Sequence, residues 1–389
     1  MSYRVLTLNN ISVRGLERLP RERYEVASAI NDPDAVLLRS ADMHSLELPA
    51  SVIAVARAGA GTNNIPVARL SKRGIPVFNA PGANANAVKE LVIAGLFLAA
   101  RNICQAWDYA RQLQGTDEQL DVEVEKGKKK FVGYELPGRT LGVIGLGAIG
   151  VEVANAAHLL GMRVLGFDPQ ITVQRAWQLS SGVEQALSLD DLFSRCDMVT
   201  VHVPLLEATR GFVNAARLRL LKSSGVVLNF SRAGIVDERA IVEALDADNL
   251  GAYICDFPTN LLKGHPRVVT LPHLGASTGE AEENCAVMVA DTLRDFLENG
   301  NVRHSVNFPE AVLPRTAGAT RLSIANENVP NMVGQISTAL AAANLNIADL
   351  LNKSRGELAY TLIDVDGSVP GSVTGQLRQI EGVLTVRAL

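Results

Sequence analysis

Three glycines in the run Gly145-Leu146-Gly147-Ala148-Ile149-Gly150 are spaced to bring a backbone close to an anion. Gly145 permits a tight turn, Gly147 lets the backbone approach a pyrophosphate, and Gly150 lets a helix pack closely on the preceding strand. Free N–H groups at the helix start then face the anion. Asp168, eighteen residues beyond Gly150, is an acid at the distance that suits ribose hydroxyls. Pro169 and Gln170 follow it, so no arginine stands ready for a 2′-phosphate. The pattern points to NAD rather than NADP. Hydride chemistry at such a dinucleotide needs a base for a hydroxyl proton and a cation to hold an acid group and polarise a carbonyl. Arg232, in NFSRAGIVDE, and His273, in PHLGAST, have the right chemical types for those tasks.

The elements that must position these residues are legible around them. Leu141, Val143 and Ile144 form an apolar strand into the glycines, and VEVANAAHLLGM after them has helical spacing. Arg163–Phe167 (RVLGF) is the next strand. Strands are also expected at DMVTVHVP (197–204), GVVLNF (225–230), Gly251–Cys255 and Arg267–Leu271, with Asp256-Phe257-Pro258 and the His273 turn following the last two. His202 lies inside its strand and reads as a core histidine. Toward the N-terminus, YRVLTL, AVLLRS, VIAVARAGAG and IPVFNAP read as strands separated by helical segments, which implies a parallel α/β layer. Arg39-Ser40 and Arg57 with Gly59 follow successive strands there. Two guanidinium groups at neighbouring strand ends suit an anionic ligand such as phosphate or carboxylate.

Helices of length are expected at 84–112 and 280–299, each able to carry the chain between two domains, and Lys126–Lys130 (KGKKK) reads as a solvated loop. After a linker at 316–320, the last seventy residues read strand, helix, strand, strand, helix, strand. That βαββαβ order gives an antiparallel sheet with helices on one face.

The chain has 389 residues and a formal net charge of −4, which gives no general attraction to nucleic acid or an anionic membrane. Its longest apolar run, Leu91–Ala100, is half of what a bilayer span needs, and MSYRVLTL has the build of a first strand and not of a signal peptide. Cys104, Cys196, Cys255 and Cys285 lie far apart with no CxxC, so reduced thiols in a cytoplasmic protein without a metal centre are expected.

The segments LLRS, RAGAGTNN, GIPVFNAPGANANAVKELV, GLGAIG, NFSRAGIVDE, LPHLGAST and VNFPE together resemble the D-isomer-specific 2-hydroxyacid dehydrogenases, and the last part resembles an ACT domain. The resemblance implies two parallel-sheet domains, Rossmann-like and flavodoxin-like, plus a ferredoxin-like ACT domain. Residues 1–95 and 288–315 would form the substrate-binding domain, 96–287 the NAD-binding domain and 320–389 the ACT domain. It implies oxidation of a 2-hydroxy acid by NAD, with 3-phosphoglycerate as the substrate. Arg232 would bind its carboxylate and C2 oxygen, and His273 would accept the proton. Arg39, Ser40, Arg57 and Gly59 match substrate-holding positions. Gly145, Gly147, Ala148, Ile149, Gly150, Asp168, Ser231, Asp256, Leu274, Gly275 and Ala276 match positions that line NAD. Asn326, Asn328 and Asn346 match positions that contact L-serine as an effector, with turn asparagines as the alternative. A homodimer or homotetramer is implied as well.

Two departures from the family pattern stand out. Relatives carry a glutamate that bonds the catalytic imidazole, yet no Glu occurs between Glu243 and Glu280. Asn260 falls in that slot on one alignment, and Asp256 is the other substitute. Ala148 stands where many relatives have arginine. Other 2-hydroxy acids (2-hydroxyglutarate, glycerate, lactate) and a non-catalytic, corepressor-like NAD sensor are the competing readings.

Overall fold

The computed structural model describes residues 2–389, and these fall into two compact units, one of residues up to Asn84 with Gly279–Leu389 and the other of Ala85–Thr278. The first unit opens with β1 (Tyr3–Leu8), α1 (Val13–Leu16), β2 (Tyr24–Ala27), β3 (Ala35–Leu38), β4 (Ala54–Arg57), α2 (Val67–Lys72) and β5 (Val77–Phe78). The second contains α3 (Ala85–Arg101), α4 (Ile103–Gln112), α5 (Asp117–Gly127), β6 (Thr140–Ile144), α6 (Ala148–Leu159), β7 (Arg163–Phe167), α7 (Val173–Ala176), β8 (Val183–Gln185) and α8 (Leu189–Arg195). It continues through β9 (Met198–Val201), α9 (Ala215–Leu218), β10 (Val226–Asn229), α10 (Glu238–Asp246), β11 (Ala252–Cys255) and β12 (Val268–Thr270). The chain re-enters the first unit with α11 (Gly279–Asn299) and ends with β13 (Ala319–Glu327), α12 (Met332–Ala342), β14 (Ile347–Arg355), β15 (Leu358–Asp366), α13 (Gly371–Arg378) and β16 (Val383–Ala388).

The expected parallel layers are present: the first sheet runs β2-β1-β3-β4-β5 and the second β12-β11-β10-β9-β6-β7-β8, with every pairing parallel. Strands β3, β6, β9 and β10 are buried at every position, as both-face-covered parallel strands must be. The C-terminal sheet is antiparallel, ordered β14-β15-β13-β16. Side chains alternate across it. Leu322, Ile324, Ile363 and Val365 meet Ile336 and Leu340 of α12 and Leu377 of α13, while Ala325, Tyr360 and Leu362 on the other face join the core of the first sheet with Phe296 and Phe308.

Several expectations are corrected. The helix expected over 84–112 breaks at Asn102, which takes a left-handed φ of 50°. The segment expected as a lysine loop is instead α5 followed by a short 3-10 turn, started by a Thr116–Gln119 capping box with Asp117 and Glu118 in its first turn. The unit boundaries fall before α3 and α11 rather than inside them, because Val88, Val92 and Leu96 pack into the core of the second unit and Cys285, Val289 and Leu293 into that of the first. The residues expected as a linker are fastened down: the Thr316 N–H donates to Asp364.

Asp364 is the centre of that fastening. Arg321, wholly buried, donates to both Asp364 oxygens at 2.7 and 2.8 Å and to the carbonyls of Asn299, Leu313 and Pro314. Every polar atom of this pair thus finds a partner, the condition under which a buried ion pair is tolerated. Burial pushes the Asp364 carboxyl up, but the Arg321 and Thr316 bonds outweigh it and hold the group below its ordinary value. A carboxyl depressed in the folded state stabilises above its unfolded pKa and loses that contribution as pH falls through the folded one. Asp364→Asn should therefore cost about 3–5 kcal/mol in guanidinium denaturation and blunt the loss of stability below about pH 4, whereas an Arg321→Met/Asp364→Leu pair should cost less than the single change.

Candidate active site

The glycine turn joins β6 to α6 and its geometry is sterically enforced. Gly145 has a φ of +88°, and a Cβ there would stand 2.6 Å from the His202 carbonyl oxygen. A Cβ at Gly150 would lie 1.8 Å from the carbonyl oxygen of Gly145, so strand and helix approach as closely as backbone allows. At Gly147 a Cβ would meet nothing within 4 Å. That glycine is therefore not required by packing, and it leaves a bare backbone face at the helix N-terminus where a pyrophosphate would sit. Asp168 directly follows β7 beside this turn. Its Oδ2 accepts the Leu146 N–H at 2.8 Å and its Oδ1 the Gln170 N–H at 2.8 Å, which fixes the carboxylate while leaving lone pairs for ribose hydroxyls. These residues fit NAD. His202, expected inside its strand as a core histidine, instead lies just past β9 and is half-buried; its Nε2 meets Thr200 Oγ1 at 3.0 Å, and loss of hydration around the ring drives its pKa down to about 3.

Arg232 follows β10 and is exposed, but its backbone is not loose. Asn229, buried at the last position of the strand, donates from Nδ2 to the Arg232 carbonyl at 2.9 Å and accepts the Ser231 N–H at 3.1 Å through Oδ1. Ser231 Oγ donates to the Val203 carbonyl at 2.6 Å, tying this turn to the end of β9. Arg232 Nη1 rests on the Ser231 carbonyl at 2.7 Å.

His273 sits in the turn after β12, with a left-handed φ of 57° and an exposed imidazole. Asp256, buried at the end of β11, holds that turn from below. Its Oδ1 accepts the Leu274 N–H at 2.7 Å, its Oδ2 the Gly275 N–H at 2.8 Å, and its backbone carbonyl the His273 N–H at 3.1 Å. Phe257 lies edge-on to the imidazole, ring centroids 5.2 Å apart. Asp256 thus uses one lone pair of each carboxylate oxygen on the turn. Asn260 is exposed, and among the described contacts of His273 there is no hydrogen bond from it. Its neighbour Thr259 donates to Glu238 Oε2 at 2.9 Å. Asn229 and Phe257 are the residues that reading the sequence passed over. The signal for Asn229 was a single polar residue at the end of the apolar run GVVLNF.

In the first unit, Arg39 and Arg57 stand at the ends of the adjacent strands β3 and β4. Arg57 Nε donates to the Arg39 carbonyl at 2.9 Å, as does Asn64 Nδ2 at 3.2 Å. Gly59 lies beside them: a Cβ there would be 2.6 Å from Arg57 Nη1. Ser40 is exposed next to Arg39. Among the effector candidates, Asn326 and Asn328 line a cavity of about 160 Å³ in the C-terminal domain with Asn331 and Asn352, and Asn346 is not among its lining residues. Asn346 instead donates to Asp366 at 2.6 Å.

Comparison with known proteins agrees with this chemistry. The family model described as D-isomer specific 2-hydroxyacid dehydrogenase, NAD binding domain, matches residues 94–275. The Haemophilus influenzae protein named D-3-phosphoglycerate dehydrogenase is 34% identical over 384 residues, which cover 94% of this chain and 88% of that protein. The Escherichia coli protein of that name is 33% identical over 342 residues, covering 85% and 79%. The Archaeoglobus fulgidus protein of that name is 36% identical over 300 residues, but this chain spans only 54% of its length. Among solved structures, an NADPH-dependent glyoxylate/hydroxypyruvate reductase from Sinorhizobium meliloti shares 25% identity at a TM-score of 0.65 over 78% of this chain and 97% of its own. The NAD+-bound 3-phosphoglycerate dehydrogenase of Entamoeba histolytica, at 24% identity and a TM-score of 0.61, shares the fold over 79% of this chain and 99% of its own. The chain belongs to the D-isomer specific 2-hydroxyacid dehydrogenases. It is an enzyme of that class, with its NAD-binding domain in the second unit, and no helix among the described residues is long and apolar enough to cross a membrane.

The two glycines make opposite predictions. Gly147→Val should fold normally, with a melting temperature near that of the parent, and lose NAD binding by calorimetry, because its side chain enters only the space meant for the pyrophosphate. Gly150→Ala should lose fold stability itself, because its Cβ has no room against Gly145.

Proposed function

We propose that the chain oxidises D-3-phosphoglycerate to 3-phosphohydroxypyruvate with NAD, the step that opens L-serine synthesis. The observation that carries this reading is the pair of buried anchors, Asn229 on β10 and Asp256 after the adjacent β11, that hold an exposed arginine after β10 and an exposed histidine after β12 on one edge of the NAD-binding sheet. The name shared by the Haemophilus and Escherichia relatives supports 3-phosphoglycerate in particular. NAD, when bound, accepts the hydride that leaves C2 of the substrate. Arg232 holds the substrate carboxylate through its forked N–H donors and draws charge onto the C2 oxygen as the carbonyl forms. His273 takes the hydroxyl proton on an imidazole nitrogen, so C–H and O–H bonds break and one C=O bond forms. Arg39, Ser40, Arg57 and Gly59 serve to hold the phosphate, for which a pair of guanidinium groups is well suited.

The C-terminal domain is proposed to bind a small amino acid, L-serine first, in the cavity lined by Asn326 and Asn328. These amides already have partners in the fold: Asn326 Nδ2 donates to the Glu327 carbonyl and Asn328 Nδ2 to that of Gly356. An effector would have to use their remaining capacity.

One assay tests both proposals. NADH formation from D-3-phosphoglycerate is expected with the parent chain. It should fall by about 10²–10⁴ in His273→Asn through loss of the base, and comparably in Arg232→Ala. Added L-serine should slow it, and turnover of D-glycerate, D-lactate or D-2-hydroxyglutarate in preference would move the substrate assignment to that acid. NAD binding with no turnover of any 2-hydroxy acid would leave a sensor in place of an enzyme.

A further inference from the structure

The guanidinium of Arg39 already carries a carboxylate. Glu282 Oε1, on the first turn of α11, lies 2.7 Å from Arg39 Nη2, with both side chains partly in solvent at 39% and 44% exposure. Neither backbone can shift to part them. The Arg39 carbonyl is held by Arg57 and Asn64, and α11 is packed along its length by Cys285, Ala286, Val289 and Leu293 in the core, with Ala286 pressed so tightly against Gly15 that a Cβ there would be 2.5 Å away. The pair therefore opens by rotation of the side chains, both of which reach solvent. Glu282 thus offsets positive charge at the strand end that bears Arg39.

We infer that Glu282 is a specificity-determining residue: an internal carboxylate that occupies Arg39 between turnovers and must be displaced by the phosphate of the substrate. The inference rests on Arg39 holding that phosphate, as proposed above. A phosphate near pH 7 carries more than one negative charge and three acceptor oxygens, so it outcompetes a single carboxylate for the guanidinium. Substrate and oxidised product bear the same phosphate, and holding both equally tightly adds nothing to the chemical step. A competitor tethered beside Arg39 weakens that uniform hold and returns as product leaves. A 2-hydroxy acid with a neutral far end never meets the competitor, and its affinity is independent of Glu282.

The test is Glu282→Gln, which keeps shape and removes charge. The dissociation constant of D-3-phosphoglycerate by calorimetry, and its KM in steady state, should both fall by about two- to fivefold, the worth of a partly exposed ion pair. The KM of D-glycerate, which lacks the phosphate, should stay the same. Weaker binding of the phosphorylated acid in Glu282→Gln would overturn the inference and make Glu282 a prop for Arg39, and an equal change for both acids would overturn it as well. If the parent chain neither binds nor turns over D-3-phosphoglycerate, the substrate assignment falls and the inference with it. If the parent turns it over and the variant is indistinguishable, only the inference falls.

Discussion

The contact on which the site depends is the approach of Gly150 to the carbonyl oxygen of Gly145, where a single methyl group would collide at 1.8 Å. It forces β6 to turn into α6 within one short loop, and so points the free N–H groups of the helix over the carboxyl edge of the sheet. The Leu146 N–H, inside the same loop, is the group that fixes Asp168. One steric constraint therefore places the helix N-terminus and the Asp168 carboxylate together. Because every pairing in this sheet is parallel, β9, β10, β11 and β12 deliver their carboxyl ends to the same edge, where the turns that bear Arg232 and His273 begin.

What those strand ends contribute is rigidity supplied from within. Asn229 and Asp256 are each 1% exposed, sit at the last buried position of β10 or just past β11, and bond the backbone of the turns that bear Arg232 and His273. A hydrogen bond to a charged group is worth about 1.5–3 kcal/mol, so the two that Asp256 accepts are enough to hold His273 in a left-handed conformation that costs a non-glycine residue about 1–3 kcal/mol. The two side chains stay exposed while their backbones are fixed, which is the arrangement preorganised catalysis would require of them in the proposed roles. Asp256 gives one lone pair of each oxygen to the Leu274 and Gly275 N–H groups, so its first task is to hold the turn that carries the imidazole.

Much of this was legible because it is local. The strand, glycine turn and helix from Leu141 to Leu159 announce themselves through composition and spacing, as do the strands that end before Arg232 and His273 and the βαββαβ order of the last seventy residues. The failures came where a long-range partner or a weak local signal decided the outcome. A continuous helical pattern over 84–112 hid the break at Asn102. The lysine run drew attention from Thr116 and Gln119, whose capping box starts α5. The TAGAT segment reads as a linker until Arg321 and Asp364, more than forty residues apart, are seen to pin its neighbours. Glu282 was invisible for the same reason: an acid in the first turn of a helix is ordinary, and only the fold sets it against Arg39.

The central claim is that a hydride moves from C2 of a 2-hydroxy acid to NAD at this edge. It is tested most directly with D-3-phosphoglycerate deuterated at C2, by mass spectrometry of the nicotinamide after turnover. The account predicts one deuterium in each NADH formed. NADH without deuterium, while C2 exchanges its label with water, would contradict it.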